Sequence, residues 1–211
     1  MKKEFDIMRE GGFYNPTDPQ LLIKRTRTRM LVDRFNKTHA WNIPRRFHLI
    51  KKIFPHGTKG AFFEPNIRVE YGENVYFGKN FYMNFDCTLL DVATIEIGDD
   101  VMFGSRVMIA TPVHPLLAEE RKMQDWGDGF YDLEYAKPVK IGNGVWLASN
   151  VTVCGGVTIG DGAVIGAGSV VTRDIPENVF AAGVPCRVIR PLTEEDRMNV
   201  KETYEKMKNG Q

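Results

Sequence analysis

His114 stands apart from the other three histidines, His39, His48 and His56, which all fall within the first 60 residues; it sits in the stretch Thr111-Pro112-Val113-His114-Pro115-Leu116. Two prolines fix the local backbone and remove two amide donors, so the chain itself sets the direction of the imidazole. Imidazole titrates at about pH 6.5, and its neutral form can take a proton from an attacking hydroxyl or amine. His114 therefore reads either as a positioned general base or as a loop histidine bonded to a neighbouring carbonyl. Catalytic zinc wants about three protein ligands, and with the other histidines so far away the sequence speaks against a metal.

Asn84, Asp86 and Asp91 interrupt otherwise apolar stretches. Buried polar groups need partners, so these are either corner hydrogen bonds or hydroxyl-binding groups for a ligand. Arg173, Arg187 and Arg190 crowd one region near the carboxyl end. They suit phosphate, which guanidinium binds in two-pronged fashion, or they form a solvated basic rim. Cys87, Cys154 and Cys186 are odd in number and lie outside any C-x-x-C pattern, as expected of reduced thiols in a cytoplasm. Cys154 reads as a small packing residue.

The element that must position these groups is a ladder of six-residue steps. Ile141, Leu147, Val153, Ile159, Ile165 and Val171 recur at that spacing, each preceded two residues earlier by Val139, Val145, Val151, Val157, Ala163 or Ser169. Inward residues at i and i+2 are strand periodicity, and Gly or Asn between the pairs supplies sharp corners. Fixed-period strand plus corner predicts a parallel β-helix whose rungs are stable only when stacked. A weaker version starts at Phe77, Met83 and Leu89 and resumes at Ile97, Phe103 and Ile109. From Ile109 to Ile141 the spacing is no multiple of six, so residues 112–138 must leave the ladder as an external loop.

The 211 residues, 43% hydrophobic, suffice for one substantial core with appendages. Residues 1–60 read as a small helical segment, with one helix capped by Asp18-Pro19 and running to Asn36, its apolar positions Leu21, Leu22, Met30, Leu31 and Phe35. A second runs from Arg45 to Phe54, with Phe47, Ile50, Ile53 and Phe54 on one face. Residues 61–192 hold the ladder and its coda, and residues 193–211 a polar helix capped by Thr193 and Asp196. Residues 1–60 carry 14 Lys and Arg against 5 Asp and Glu, whereas the remainder is acidic. Without a nucleic-acid motif, that asymmetry points to an acidic neighbour or a polyanionic cofactor rather than to nucleic acid. No stretch approaches the roughly 20 apolar residues of a membrane span, so the chain reads as soluble and cytoplasmic.

The sequence resembles the hexapeptide-repeat acyltransferases, most closely the maltose and galactoside O-acetyltransferases. The likeness is carried by Phe81-Tyr82-Met83-Asn84-Phe85, Leu90-Asp91-Val92-Ala93, His114-Pro115-Leu116 with Glu119-Glu120-Arg121, Gly144-Val145-Trp146-Leu147, and Ile165 to Ile175 continuing into Ala181 to Arg190. It implies a left-handed β-helix with three hexads per coil, a homotrimer with active sites between subunits, and transfer of acetyl from acetyl-CoA to a sugar hydroxyl. His114 would be the base, with Asn84 contributed across the interface and Tyr82 and Asp91 near the same acceptor pocket. Acetyl-CoA contacts would fall to Trp146, Ser149, Ala167, Thr172, Arg173, Arg187 and Arg190. Two positions depart from the family pattern: Asn15 stands where an aspartate touches the sugar, and Glu70 where the galactoside enzyme has a small hydroxyl residue. The loop after Arg121 is also longer by about ten residues. Two other readings stay open: an antibiotic or amino sugar as acceptor, and a non-catalytic trimeric scaffold.

Overall fold

A computed structural model describes residues 2–57 and 59–210. Three parallel sheets form the walls of a prism. The first face stacks Phe62–Phe63, Tyr82–Met83, Met102–Phe103, Trp146–Leu147, Val164–Ile165 and Val179–Ala182, with Arg187–Pro191 added antiparallel at the end. Arg68–Val69, Thr88–Leu90, Met108–Ala110, Thr152–Cys154 and Val170–Val171 make the second face. The third consists of Val75–Phe77, Ile95–Ile97, Val139–Ile141 and Thr158–Ile159. Following the chain, each coil visits the three faces in turn, as the ladder requires. Two rungs, Phe62–Phe63 and Arg68–Val69, precede the Phe77 at which the six-residue spacing starts, and Phe63 and Val69 already point inward.

The inward series is fully buried from Met83 and Leu89 through Leu147, Val153, Ile159, Ile165 and Val171. The outward neighbours carry the polar and large residues, which is the period-two alternation of a strand. Corners are made by residues in the left-handed region: Asn80, Asp100, Gly144, Gly162 and Asn178 at one edge, Asp86, Arg106, Asn150 and Gly168 at the next. Asn and Asp tolerate that conformation and bond locally. Here Asp99, Asn143 and Asp161 form a side-chain ladder, each accepting a backbone amide from the coil on one side.

Helix α1 (Glu4–Arg9) precedes α2 (Pro19–Asn36) and α3 (Ile43–Ile53). Asp18 caps α2 by accepting from the Gln20 and Leu21 amides at 2.9 and 3.2 Å, as its Asp-Pro signature predicts. The buried face of α2 is Leu21, Thr28, Val32 and Phe35, while of its other apolar residues Leu22 and Met30 are exposed. In α3 Phe47 is likewise exposed, while Leu49, Ile50 and Ile53 are buried. Val32, Phe35, Ile50, Ile53 and Phe54 join one hydrophobic core with Phe63, Phe77 and the rungs above. The helices therefore close the open end of the prism, where an exposed first coil would leave apolar surface in water.

Residues 112–138 leave between the second and third faces, as expected, and the ladder resumes in register, Val139 to Ile141 pairing with Ile95 to Ile97. The excursion has structure of its own. Pro112–Val113 pairs antiparallel with Tyr135–Ala136, a turn of helix α4 spans Ala118–Arg121, and Gln124–Asp125 forms a hairpin with Phe130–Tyr131. At the carboxyl end Thr193 and Asp196 do form a capping box, but it holds only a 3-10 turn, Glu194–Asp196. The single helix expected to Lys208 is broken at Asn199, in the left-handed region, and α5 covers Val200–Lys208. Among the described residues no helix is long and apolar enough to cross a membrane.

Candidate active site

The base of the excursion is a two-stranded ribbon, and its register brings residues distant in sequence together. Val113 pairs with Tyr135 and Pro112 with Ala136, which sets His114 opposite Glu134. The His114 Nε2 lies 3.8 Å from Glu134 Oε1. Tyr14 reaches the same carboxylate from the amino-terminal segment, its hydroxyl donating to Glu134 Oε2 at 2.7 Å and its backbone bonded to that of Glu134 in both directions. Tyr14 is buried, and burial, followed by the Glu134 carboxylate, pushes its phenol well above the ordinary range. Glu134 is thus oriented by a phenol on one side and faces the imidazole on the other. The sequence alone gives Glu134 no role, since nothing in a one-dimensional pattern links positions 14, 114 and 134.

Asp132 joins this group: metal-capable atoms of His114, Asp132 and Glu134 all lie within 4.8 Å of one another. Scattered as the histidines are in sequence, the folded site gathers one imidazole and two carboxylates. Chemically the trio can receive a proton on the imidazole and stabilise the resulting cation through the carboxylates.

The other expected residues divide between two edges of the prism. Asn84, Ser149 and Ala167 occupy stacked corners between the first and second faces, flanked by Tyr82 and Trp146 on the first face. The Gly168 amide donates to the Ser149 carbonyl at 2.9 Å, tying successive corners together. Asn84 accepts from the Phe85 amide at 2.8 Å, leaving its side-chain amide to donate. Ala167 is exposed, and no atom lies within 4 Å of where a Cβ on Gly168 would stand, so this corner is an open, narrow shelf. Glu70, Asp91, His114, Thr172 and Arg173 belong instead to the edge between the second and third faces. One chain therefore does not bring Asn84 and His114 together.

Three expected contacts differ from the expectation. Asp91 is fully buried, its oxygens accepting from the backbone amides of Glu70, Tyr71 and Gly72 at 3.1, 2.9 and 2.6 Å. It holds the corner below rather than an acceptor, because its side chain points into the coil. Burial pushes its carboxyl up to about 7, against the opposing pull of those amides. Glu70 is gripped by α2, with Arg29 at 2.6 Å and Arg25 at 3.7 Å, so its charge is matched within the chain. Asn15 uses its side-chain oxygen to accept from the Thr17 amide and hydroxyl at 2.9 and 2.7 Å, shaping the turn into α2.

At the carboxyl end Arg173 is exposed and without an ion-pair partner among the described residues. Arg187 donates to the carbonyl of Cys186 at 2.8 Å. Arg190 is held by Asp196 in a two-pronged pair at 2.8 and 2.6 Å.

Known proteins resemble this chain over most of its length. The family model described as bacterial transferase hexapeptide (six repeats) matches residues 138–173, and the maltose acetyltransferase hexapeptide capping motif matches residues 7–57. Galactoside O-acetyltransferase of Escherichia coli (strain K12) is 42% identical over 190 residues, covering 90% of each chain. A maltose O-acetyltransferase structure from Clostridium difficile 630 superposes with a TM-score of 0.85 at 42% identity, over 92% of this chain and 99% of that one. Galactoside acetyltransferase in complex with coenzyme A gives a TM-score of 0.84 at 40% identity, over 93% and 94%.

Proposed function

Since the chain belongs to the hexapeptide-repeat acetyltransferases, in the group of the galactoside and maltose O-acetyltransferases, we infer that it moves acetyl from acetyl-CoA to a hydroxyl of a maltose-, glucose- or galactoside-like sugar. The observation that carries this reading is His114 set against Glu134 where the chain leaves the coil. Acetyl-CoA supplies the activated acyl group. His114 takes the proton of the attacking hydroxyl as the new C–O bond forms and the C–S bond breaks, then returns it to the departing thiolate. The imidazolium formed on the way faces Glu134, a favourable Coulomb contact in a partly desolvated site.

Trp146, Ser149 and the Ala167 shelf suit the pantetheine arm, while Thr172, Arg173, Arg187 and Arg190 suit its phosphates. Asn84 and His114 lie on different edges, so a complete site needs one edge from each of two copies, and a homotrimer supplies three such junctions. Tyr82 and Asn84 would meet the acceptor from the neighbouring copy, with Glu70 and Asn15 at its margin and Asp91 acting only through the corner it holds. A cytoplasmic location suits the donor and the three free thiols.

The test is thiol release from acetyl-CoA over mono- and disaccharides and amino sugars, with each product treated with hydroxylamine. Sugar esters are cleaved by hydroxylamine and amides resist it. Products that resist throughout would favour the amino-sugar reading, and failure to bind coenzyme A would favour the scaffold. Glu134→Gln is expected to lower kcat by about ten- to a hundredfold, since each tenfold corresponds to about 1.4 kcal/mol of lost transition-state stabilisation. The KM for acetyl-CoA should not change. An unchanged kcat would remove Glu134 from the proton-transfer step.

A further inference from the structure

The excursion does more than carry the base. Between its 124–131 hairpin and the amino-terminal segment lies a cleft of about 590 Å³. Phe13 and Trp126 line it, and both are large aromatics left substantially exposed, at 58% and 45%. Each is held in place. Trp126 stacks on Tyr131 with centroids 6.1 Å apart and donates its indole N–H to the Tyr131 carbonyl at 3.1 Å. Phe13 packs on Tyr135 at 5.3 Å. Apolar faces kept in water without a cover are costly, and two of them lining one cleft mark a binding surface.

The polar lining narrows the chemistry. Glu119 and Glu120 face the cleft with no ion-pair partner among the described residues, and so does Lys122. Gln124 spends its side-chain N–H on the carbonyls of Glu119 and Glu120 at 3.2 and 3.4 Å, leaving its oxygen to accept. Aromatic faces with free acceptors and one donor match a pyranose, whose ring C–H groups form flat apolar patches and whose equatorial hydroxyls both donate and accept. The cleft also adjoins the reaction centre. Its wall includes Pro115 and Leu133, the chain neighbours of His114 and Glu134 on the two strands of the ribbon.

We propose that the cleft between Phe13 and the 124–131 hairpin is a second carbohydrate subsite, holding a pyranose of the acceptor beyond the one that is acetylated. This rests on the sugar O-acetyltransferase reading and deepens it: the acceptor is an oligosaccharide or glycoside longer than one sugar. The hairpin builds one wall, so the specificity resides in this excursion.

The experiment measures kcat/KM of the intact protein, at saturating acetyl-CoA, for glucose, maltose and maltotriose and for galactose and lactose, with oligomeric state followed by sedimentation. Wild type is expected to favour the longer member of at least one series by about tenfold, the worth of a good aromatic contact. Trp126→Ala should bring that ratio close to one, and Trp126→Phe, which keeps a stacking face, should retain most of it. Monosaccharide turnover with no length preference in wild type overturns the subsite alone, and so does an equal loss on short and long acceptors in Trp126→Ala. Disassembly of Trp126→Ala also overturns it, by making the hairpin a contact between copies. Absence of acetyl transfer to any sugar overturns the functional reading itself, and with it the occupant assigned to the cleft.

Discussion

His114→Ala is expected to keep the coil intact and to lower turnover by about 10²- to 10⁴-fold, the usual worth of a positioned general base. The fold should survive because His114 is half exposed and contributes nothing to the buried ladder. Its removal leaves Glu134 with its bond from Tyr14, so the ribbon keeps its register. A circular dichroism spectrum and melting curve like those of wild type, together with the kinetic loss, would establish a chemical role. Turnover at the wild-type rate would end the assignment of His114 as base.

The second large effect is on stability. Asp91→Ala should cost about 3–5 kcal/mol in unfolding free energy, measured by denaturant titration. The Glu70 amide has an alternative partner in the Leu89 carbonyl at 3.2 Å. The Tyr71 and Gly72 amides have none among the described residues, so the variant would bury two orphaned donors. A loss below about 1 kcal/mol would mean that the corner relaxes and finds water. The sign of the pH dependence follows from the direction of the shift. The folded-state carboxyl binds its proton more tightly than the unfolded one, titrating at about 7 rather than 3.8. Its contribution to stability is therefore greatest below about pH 4, falls between about pH 4 and 7, and stays level above. In Asp91→Asn that decline should be absent, and an identical pH–stability curve would show that Asp91 does not titrate in this range.

Much of the architecture was legible because hexads speak through local spacing: an inward pair followed by a corner identifies a rung without knowledge of its neighbours. The Asp18-Pro19 cap is equally local, and so is the failure of spacing between Ile109 and Ile141 that announced the excursion. What could not be read depends on contacts between coils. Asp91 looks like a ligand-binding carboxylate until the amides of Tyr71 and Gly72, one coil below, are seen to surround it. Glu70 looks like an unmatched charge until Arg25 and Arg29 arrive from α2. Glu134 gained meaning only when the excursion folded into a ribbon. Which apolar residues of α2 face inward depends on contacts too: Thr28 turns inward to donate its hydroxyl to the Tyr71 carbonyl at 2.8 Å, and Met30 then turns to solvent.

The in-register pairing of Ile95–Ile97 with Val139–Ile141 means that the segment between the second and third faces adds nothing to the alignment of the rungs. Such a segment can be lengthened, shortened or exchanged while the skeleton stays fixed. The donor contacts proposed for the repeats and the part of the acceptor surface proposed for the excursion can then diversify independently. A descendant of this chain could change what it modifies by editing fewer than thirty consecutive residues.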